Sequence, residues 1–206
     1  MGDHPSHTLD LALGGVGWGA AVPSIGDMTV FETDRLVVRQ WTEGEADVAR
    51  VFDMLSRWEV ARWLGALPRA LESPAEALAT IRRWRERVTD DGSQGVWAVD
   101  VRATGRTAGS VLVVPLPGVD SKPTDDLEVG WHLHPDSWGR GYATEAARGA
   151  VERVFAGGHA EIHAVIREGN TASVAVALRL GMVSIGTQRR WYGGIALDAY
   201  RLRVRE

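Results

Sequence analysis

The sequence predicts a mixed α/β fold, one central sheet with helices on both faces, from three observations. Segments that alternate apolar and polar residues are interleaved with segments whose apolar residues recur at helical spacing. Hairpin-like neighbours stand early and late in the chain and longer crossovers occupy its middle, an order that mixes antiparallel and parallel pairing. The chain has 206 residues and 45% hydrophobic content, enough for one domain with a sizeable core.

Residues 1 to 27 stand apart. They contain Gly14, Gly15, Gly17, Gly19 and Gly26, three aspartates and no Lys or Arg. This reads as a flexible leader ahead of a domain spanning 28 to 206. A signal peptide is not expected, because the positive n-region is missing and Asp10 and the glycines interrupt the apolar run. Met28, just before the first strand, is the expected natural start. Patterning then predicts a strand over Leu36 to Gln40, helices over Glu43 to Leu55 and Pro74 to Thr89, and strands over Val96 to Val101 and Thr107 to Val114. Gly118 to Asp126, preceded by Pro117 and containing Pro123 and several acidic residues, predicts a mobile loop. Beyond it lie a strand to Leu133, a helix over Thr144 to Phe155, a strand over Ala160 to Ile166, a helix over Ala172 to Leu180, and strands over Val183 to Arg190 and Leu197 to Val204. There is no internal repeat.

Leu127 to Ala147 is the segment that carries chemistry. Leu127, Val129, Trp131 and Leu133 alternate with Glu128, Gly130 and His132, a strand with two unlike faces that Pro135 and Asp136 end. Gly139 and Gly141 permit a tight turn into a helix whose first N–H groups lack intrahelical partners and whose dipole favours negative charge. A pyrophosphate can therefore sit on residues Gly139 to Thr144 with Arg140 at the rim. A Gly-x-Gly turn also serves as plain connective structure. Two nucleotide motifs are excluded: the only lysine is Lys122, so no P-loop is present, and only two of the three glycines of a dinucleotide fingerprint are in place.

Other classes are excluded by composition. A net charge of −4 does not support a nucleic-acid binder relying on a broad basic field. The absence of cysteine removes disulfides, thiolate metal sites and cysteine nucleophiles. No segment is long and apolar enough to span a bilayer, and the expected location is the cytoplasm. No metal is expected, and oligomeric state is left open.

Trp138-Gly139-Arg140-Gly141-Tyr142-Ala143 resembles the acyl-coenzyme A pyrophosphate loop of the GNAT N-acetyltransferase superfamily, whose pattern is Gln or Arg, two residues, Gly, one residue, Gly or Ala. The departure is Trp138 in the Gln/Arg position. An aromatic there is usual in the branch of the Rim-type ribosomal-protein N-terminal acetyltransferases. Thr33-Asp34-Arg35-Leu36-Val37-Val38-Arg39 resembles that branch's opening strand. Asn170-Thr171-Ala172-Ser173 with Leu180-Gly181-Met182 resembles its Asn-x-x-Ser helix and closing Gly-hydrophobic pair. The three ordered matches span roughly residues 29 to 206.

The resemblance implies direct transfer of an acetyl group from acetyl-CoA to a primary amine. It implies that the backbone N–H of Trp131 polarises the thioester carbonyl, that Leu133 pairs with the pantetheine arm, and that Gly139, Arg140, Gly141, Tyr142, Ala143 and Thr144 hold the pyrophosphate. Glu128 is the implied base. It lies roughly 10 Å along the strand from Trp131 at about 3.3 Å per residue, and so acts through a water; the alternative is a solvated strand carboxylate. His132 is a second candidate base. Residues 171 to 180 lack the tyrosine that usually protonates the leaving thiolate, so Ser173 is the implied acid and Asn170 the holder of the pantetheine amides. Both residue types also suit a helix start.

Acceptor choice is expected in the first two helices and the last hairpin. Trp58, Trp63 and Trp84 stand there among Arg57, Arg62, Arg82, Arg83, Arg85 and Arg87. They form either an aromatic slot for an amine or a tryptophan-rich core with an arginine-rich solvated helix face. Arg189, Arg190, Trp191 and Tyr192 either guard the pocket mouth or form a hairpin turn. The first expected acceptor is a protein or peptide N-terminal α-amine. The alternatives are a small amine, aminoglycoside or polyamine, and a CoA-binding module without catalysis.

Overall fold

The computed structural model describes residues 28 to 204; the expected leader over 1 to 27 lies outside them. The strands are β1 (Thr29–Glu32), β2 (Leu36–Gln40), β3 (Gly95–Val101), β4 (Arg106–Pro117), β5 (Pro123–Leu133), β6 (Glu161–Ile166), β7 (Val183–Gln188) and β8 (Leu197–Arg203). The helices are α1 (Glu45–Leu55), α2 (Trp58–Ala61), α3 (Pro74–Arg85), α4 (Tyr142–Ala156) and α5 (Thr171–Arg179). The strands form one sheet in the order β1-β2-β3-β4-β5-β6-β8-β7, antiparallel except for β5 beside β6. The predicted mixed sheet is thus present.

Each face carries its own core. Trp97, Val99 and Val101 of β3, Val111 and Val113 of β4 and Val129 of β5 pack under Ala146, Ala147, Ala150 and Val154 of α4, and Ala177 of α5 joins the same cluster. Ala98 turns to the opposite face, where Trp41, Val51, Met54 and Ile81 form the cluster beneath α1 and α3. Small residues let α4 lie close to the sheet: a Cβ on Gly149 would come within 2.6 Å of the Phe31 ring. Arg39 joins the sheet to α1, with a bidentate pair to Asp47 at 2.8 Å and an Nε bond to Asp100 at 2.6 Å. Buried charge of this kind is tolerated because every partner is matched.

Three expectations are corrected. Gly118 to Asp126 is not one mobile loop, since β5 begins at Pro123, Pro117 pairs with Pro123, and Thr124 Oγ1 donates to Leu116 O at 2.8 Å. The prolines end a hairpin, where a missing ladder N–H costs little. The predicted helix from Pro74 ends at Arg85 rather than Thr89. β1 and α2, four residues each, are elements that the patterning did not predict.

The β5–β6 pair positions the site. It makes a single registered pairing, Glu128 opposite His163, and the two strands then continue to Leu133 and Ile166 without another. A parallel pair joined at one point leaves a wedge beyond it.

Candidate active site

Backbone direction fixes what β5 offers to that wedge. His134 donates its N–H to Ala108 O at 2.9 Å, toward β4. Backbone groups alternate sides along a strand, so the N–H groups of Trp131 and Leu133 point to the opposite edge, into the wedge. The Trp131 side chain packs on the α4 core, so the residue serves packing and presents a backbone donor at once. Leu133 is partly committed: its carbonyl accepts from the Trp138 indole Nε1 at 2.8 Å. Trp138, the departure from the Gln/Arg pattern, thereby ties the start of the turn to the end of β5.

The turn is shaped by Gly139 (φ 71°) and Gly141 (φ 79°), left-handed positions that side chains rarely adopt. Gly141 caps α4 with no side-chain bond. No N–H of residues 139 to 144 donates to an acceptor among the described residues. The helix therefore starts at Tyr142, two residues before the expected Thr144. Arg35, quoted above only as part of a matching strand, braces this turn: its Nη1 donates to Arg140 O at 3.0 Å, its Nε to Glu145 at 2.6 Å, and its guanidinium lies 5.1 Å from the Tyr142 ring centre. Glu145 also accepts from Thr33 Oγ1 at 2.6 Å. A second brace comes from α1, where Arg50 donates to Asp136 at 2.9 Å and Asp53 lies 2.9 Å from His134 Nε2.

These features line one cavity of about 1260 Å³ that holds Trp131, Leu133, residues 137 to 145, Asn170 and Ser173. Arg140, Arg148 and Arg179 line it without an ion pair among the described residues. Unpaired N–H groups at a helix start, glycines with no room taken by a Cβ, and free arginines fit a polyanionic, elongated carrier; acetyl-CoA suits the wedge and turn together. Asn170 caps α5, its Oδ1 accepting from Ser173 N at 3.2 Å. The capping role of that pair is present in the structure.

Glu128 is not in this cavity. It lines an adjoining one of about 570 Å³ beneath α3, and Trp131, His132, Asn170 and Ser173 line both. The solvated-carboxylate alternative is overturned, because Glu128 is only 8% exposed. Burial pushes its carboxyl up to about 7, although a 2.6 Å hydrogen bond from Tyr192 and the charge of Arg87 act in the other direction. Tyr192, in a left-handed conformation (φ 50°) in the β7–β8 connection, is the partner that pattern reading did not single out as a ligand of Glu128. Burial and the Glu128 charge lift its phenol well above the usual range. His132 is a poor base, since burial pushes its imidazole down to about 4, and its ring sits 5.5 Å from that of Trp84. Trp84 belongs to the core as well as the cavity, whereas Trp58 is exposed.

Outside both cavities, Asp126, Glu161 and His163 bring one possible ligand atom each within 4.8 Å. The two carboxylates are already engaged, Asp126 by Trp191 Nε1 at 3.0 Å and Glu161 by Arg203 Nε at 2.8 Å.

A wedge beside a glycine turn at a helix start defines the acyl-CoA N-acyltransferase architecture. The model of the acetyltransferase (GNAT) domain matches residues 35–183, so the chain belongs to that family and is an acetyl-CoA-dependent N-acetyltransferase. It is similar to an uncharacterized N-acetyltransferase, YoaA, of Bacillus subtilis (strain 168), with 27% identity over 79% of this chain and 87% of that protein. Among solved structures it resembles the ribosomal L7/L12 α-N-protein acetyltransferase RimL in complex with coenzyme A, at a TM-score of 0.66 and 15% identity over 85% and 98% of the two chains. It also resembles the ribosomal-protein-S5-alanine acetyltransferase of Vibrio fischeri, at a TM-score of 0.63 and 18% identity over 84% and 95%. At these identities the structural likeness speaks for the fold.

Proposed function

We propose that this enzyme acetylates the N-terminal α-amine of a protein or peptide, in the cytoplasm. The observation that carries the reading is Glu128, the one carboxyl among the described residues that lines the acceptor-side cavity, buried and raised to about 7 beside Tyr192. An α-amine titrates near 8 and needs only a weak base, whereas a lysine amine near 10.4 would cost roughly 5 kcal/mol to neutralise at pH 7. A carboxylate that titrates near 7 suits the first. The names of two structural neighbours, both acting on ribosomal proteins, agree with it. No helix among the described residues is long and apolar enough to cross a membrane.

Acetyl-CoA supplies the activated acetyl group. The N–H groups of residues Gly139 to Thr144, with Arg140, hold its pyrophosphate, and Leu133 and Asn170 hold the pantetheine arm. The N–H of Trp131, free on the wedge side, donates to the thioester oxygen as charge builds there. Glu128 takes the amine proton, through a water where the approach is long. Ser173, common to both cavities, returns a proton to the departing sulfur.

The test is a panel of acceptors at pH 7.5 with acetyl-CoA: peptides with free α-amines, α-blocked peptides with free lysines, polyamines and aminoglycosides, products located by tandem mass spectrometry. Acetyl groups on α-amines are expected. Transfer confined to lysines, polyamines or aminoglycosides overturns the reading.

A further inference from the structure

The charges around the acceptor-side cavity are lopsided. Arg69, Arg83, Arg87 and Arg167 line it against, among the described residues, the single carboxyl of Glu128, and burial holds His132 there in its neutral form near pH 7. The arginines are not equivalent. Arg69 is matched by Glu76 at 3.1 Å, and Arg167 donates to the carbonyls of Gly65 and Ala66 at 2.6 and 2.7 Å. Arg83 and Arg87 make no ion pair among the described residues; Arg83 donates to Thr80 Oγ1 at 2.9 Å and acts on the charge of Glu76, which Arg69 already pairs.

α3 sorts its arginines by face. Thr80, Arg83, Trp84 and Arg87 recur at i, i+3, i+4 and i+7 and all line the cavity, Arg87 from just past the helix end. Arg82 and Arg85, on the other side, share Glu43 at 2.9 and 3.9 Å. All four arginines are exposed, as a solvated arginine-rich face requires; the outward pair shares Glu43, whereas the cavity-facing pair makes no ion pair among the described residues. Arg87 is close enough to act on the charge of Glu128.

We infer that the acceptor is an α-amine whose chain carries an acidic side chain within its first few residues, the amine entering toward Glu128 and the acidic group resting on Arg83 and Arg87. The inference rests on the α-amine reading above. It follows from charge complementarity. A polyamine or aminoglycoside brings several cations into a cavity with four guanidinium groups and, among the described residues, one carboxyl, whereas an acidic N-terminus supplies the one ammonium that Glu128 serves and an anion for Arg83 and Arg87, neither of which is ion-paired among the described residues.

The experiment measures kcat/KM of the full-length enzyme on peptides that share the same first residue and differ at positions two to four: acidic, neutral or basic. Free aspartate and spermidine run beside them, at low and high salt. Acidic peptides are expected to exceed neutral ones by about fivefold, roughly 1 kcal/mol, with basic peptides lowest and the gap closing in high salt. Free aspartate outranking every peptide would overturn the peptide part of the inference. Arg83→Glu with Arg87→Glu is expected to invert the ranking; should that variant not fold, the wild-type ranking and its salt dependence decide. A flat ranking, a preference for basic peptides or spermidine, or a ranking untouched by folded charge-reversed enzyme overturns the inference and leaves α-amine transfer standing. Failure to acetylate any α-amine overturns both.

Discussion

The two cavities that meet at Trp131 are built from different material. The larger is made of backbone: strand N–H groups at the open edge of β5, and the unpaired N–H groups of a turn that Gly139 and Gly141 shape. The smaller is made of side chains from elements far apart in sequence, with Glu128 from β5, Trp84 and Arg87 from α3 and its end, and Tyr192 from the last hairpin. Backbone donors tolerate changes in side chain but not in dihedral angle. Side-chain groups have the opposite sensitivity. On the proposed reading, the carrier is held by backbone geometry and the acceptor by side-chain chemistry.

The sharpest way to break this contrast is Gly141→Val. A branched side chain at φ 79° is strained by roughly 1–2 kcal/mol, and its Cβ would meet Arg35 Nη2 at 3.4 Å. Relaxing that strain moves the N–H groups. A hundredfold excess of acetyl-CoA over its dissociation constant should stabilise the wild type by about 2.7 kcal/mol in a thermal melt, and the variant should show no shift. A full shift in Gly141→Val would show that side chains, not backbone, hold the carrier.

Glu128→Gln probes the other cavity and should separate the two functions. Turnover is expected to fall about 100-fold while the thermal shift with acetyl-CoA persists. The stability profile supplies an independent check. Glu128 holds its proton in the folded state up to about 7 but loses it near 4.5 when unfolded, so the unfolded state binds fewer protons between those values and wild-type stability falls as pH rises through them. The whole window amounts to roughly 3 kcal/mol. His132 acts with opposite sign: its folded value near 4 lies below the ordinary 6.5, so its contribution is present above 6.5 and lost as pH falls toward 4. The two offset each other from about 4.5 to 6.5 in the wild type. In Glu128→Gln only the histidine remains, so stability should rise across that range and the variant should outlast the wild type at pH 8.

How much of this was legible in the sequence follows the same division. The wedge-side site reads from one contiguous stretch, because a period-two strand, a proline stop and two glycines before a helix leave the backbone few options over Leu127 to Ala147. The burial of Glu128 did not read. Alternation marks its face as the polar one, yet that face is covered by α1 and α3, which precede it, and by Tyr192, 64 residues later. No local period encodes a lid supplied from both ends of the chain. Arg35 was visible as part of a motif, while its grip on Glu145, 110 residues away, was not. The prolines of the β4–β5 hairpin misled for a different reason: they signal a break in hydrogen bonding, and at the end of a hairpin such a break is compatible with a strand.

Tyr192→Phe makes the finest cut, since it removes one hydroxyl from the side-chain cavity and nothing from the backbone one. The hydroxyl donates to Glu128 Oε2 at 2.6 Å and so favours the charged carboxylate, partly offsetting the burial that raises it. Without that bond the carboxyl should hold its proton to higher pH, moving the acid limb of kcat/KM upward from about 7 by roughly one unit for a bond worth about 1.4 kcal/mol. Rates should drop several-fold near neutrality and recover by pH 9, with the acetyl-CoA shift unchanged. Recovery at high pH is what a purely structural loss cannot give: a displaced hairpin would depress the rate at every pH. If the limb stays in place while the rate falls throughout, Tyr192 shapes the cavity and leaves the proton of Glu128 alone.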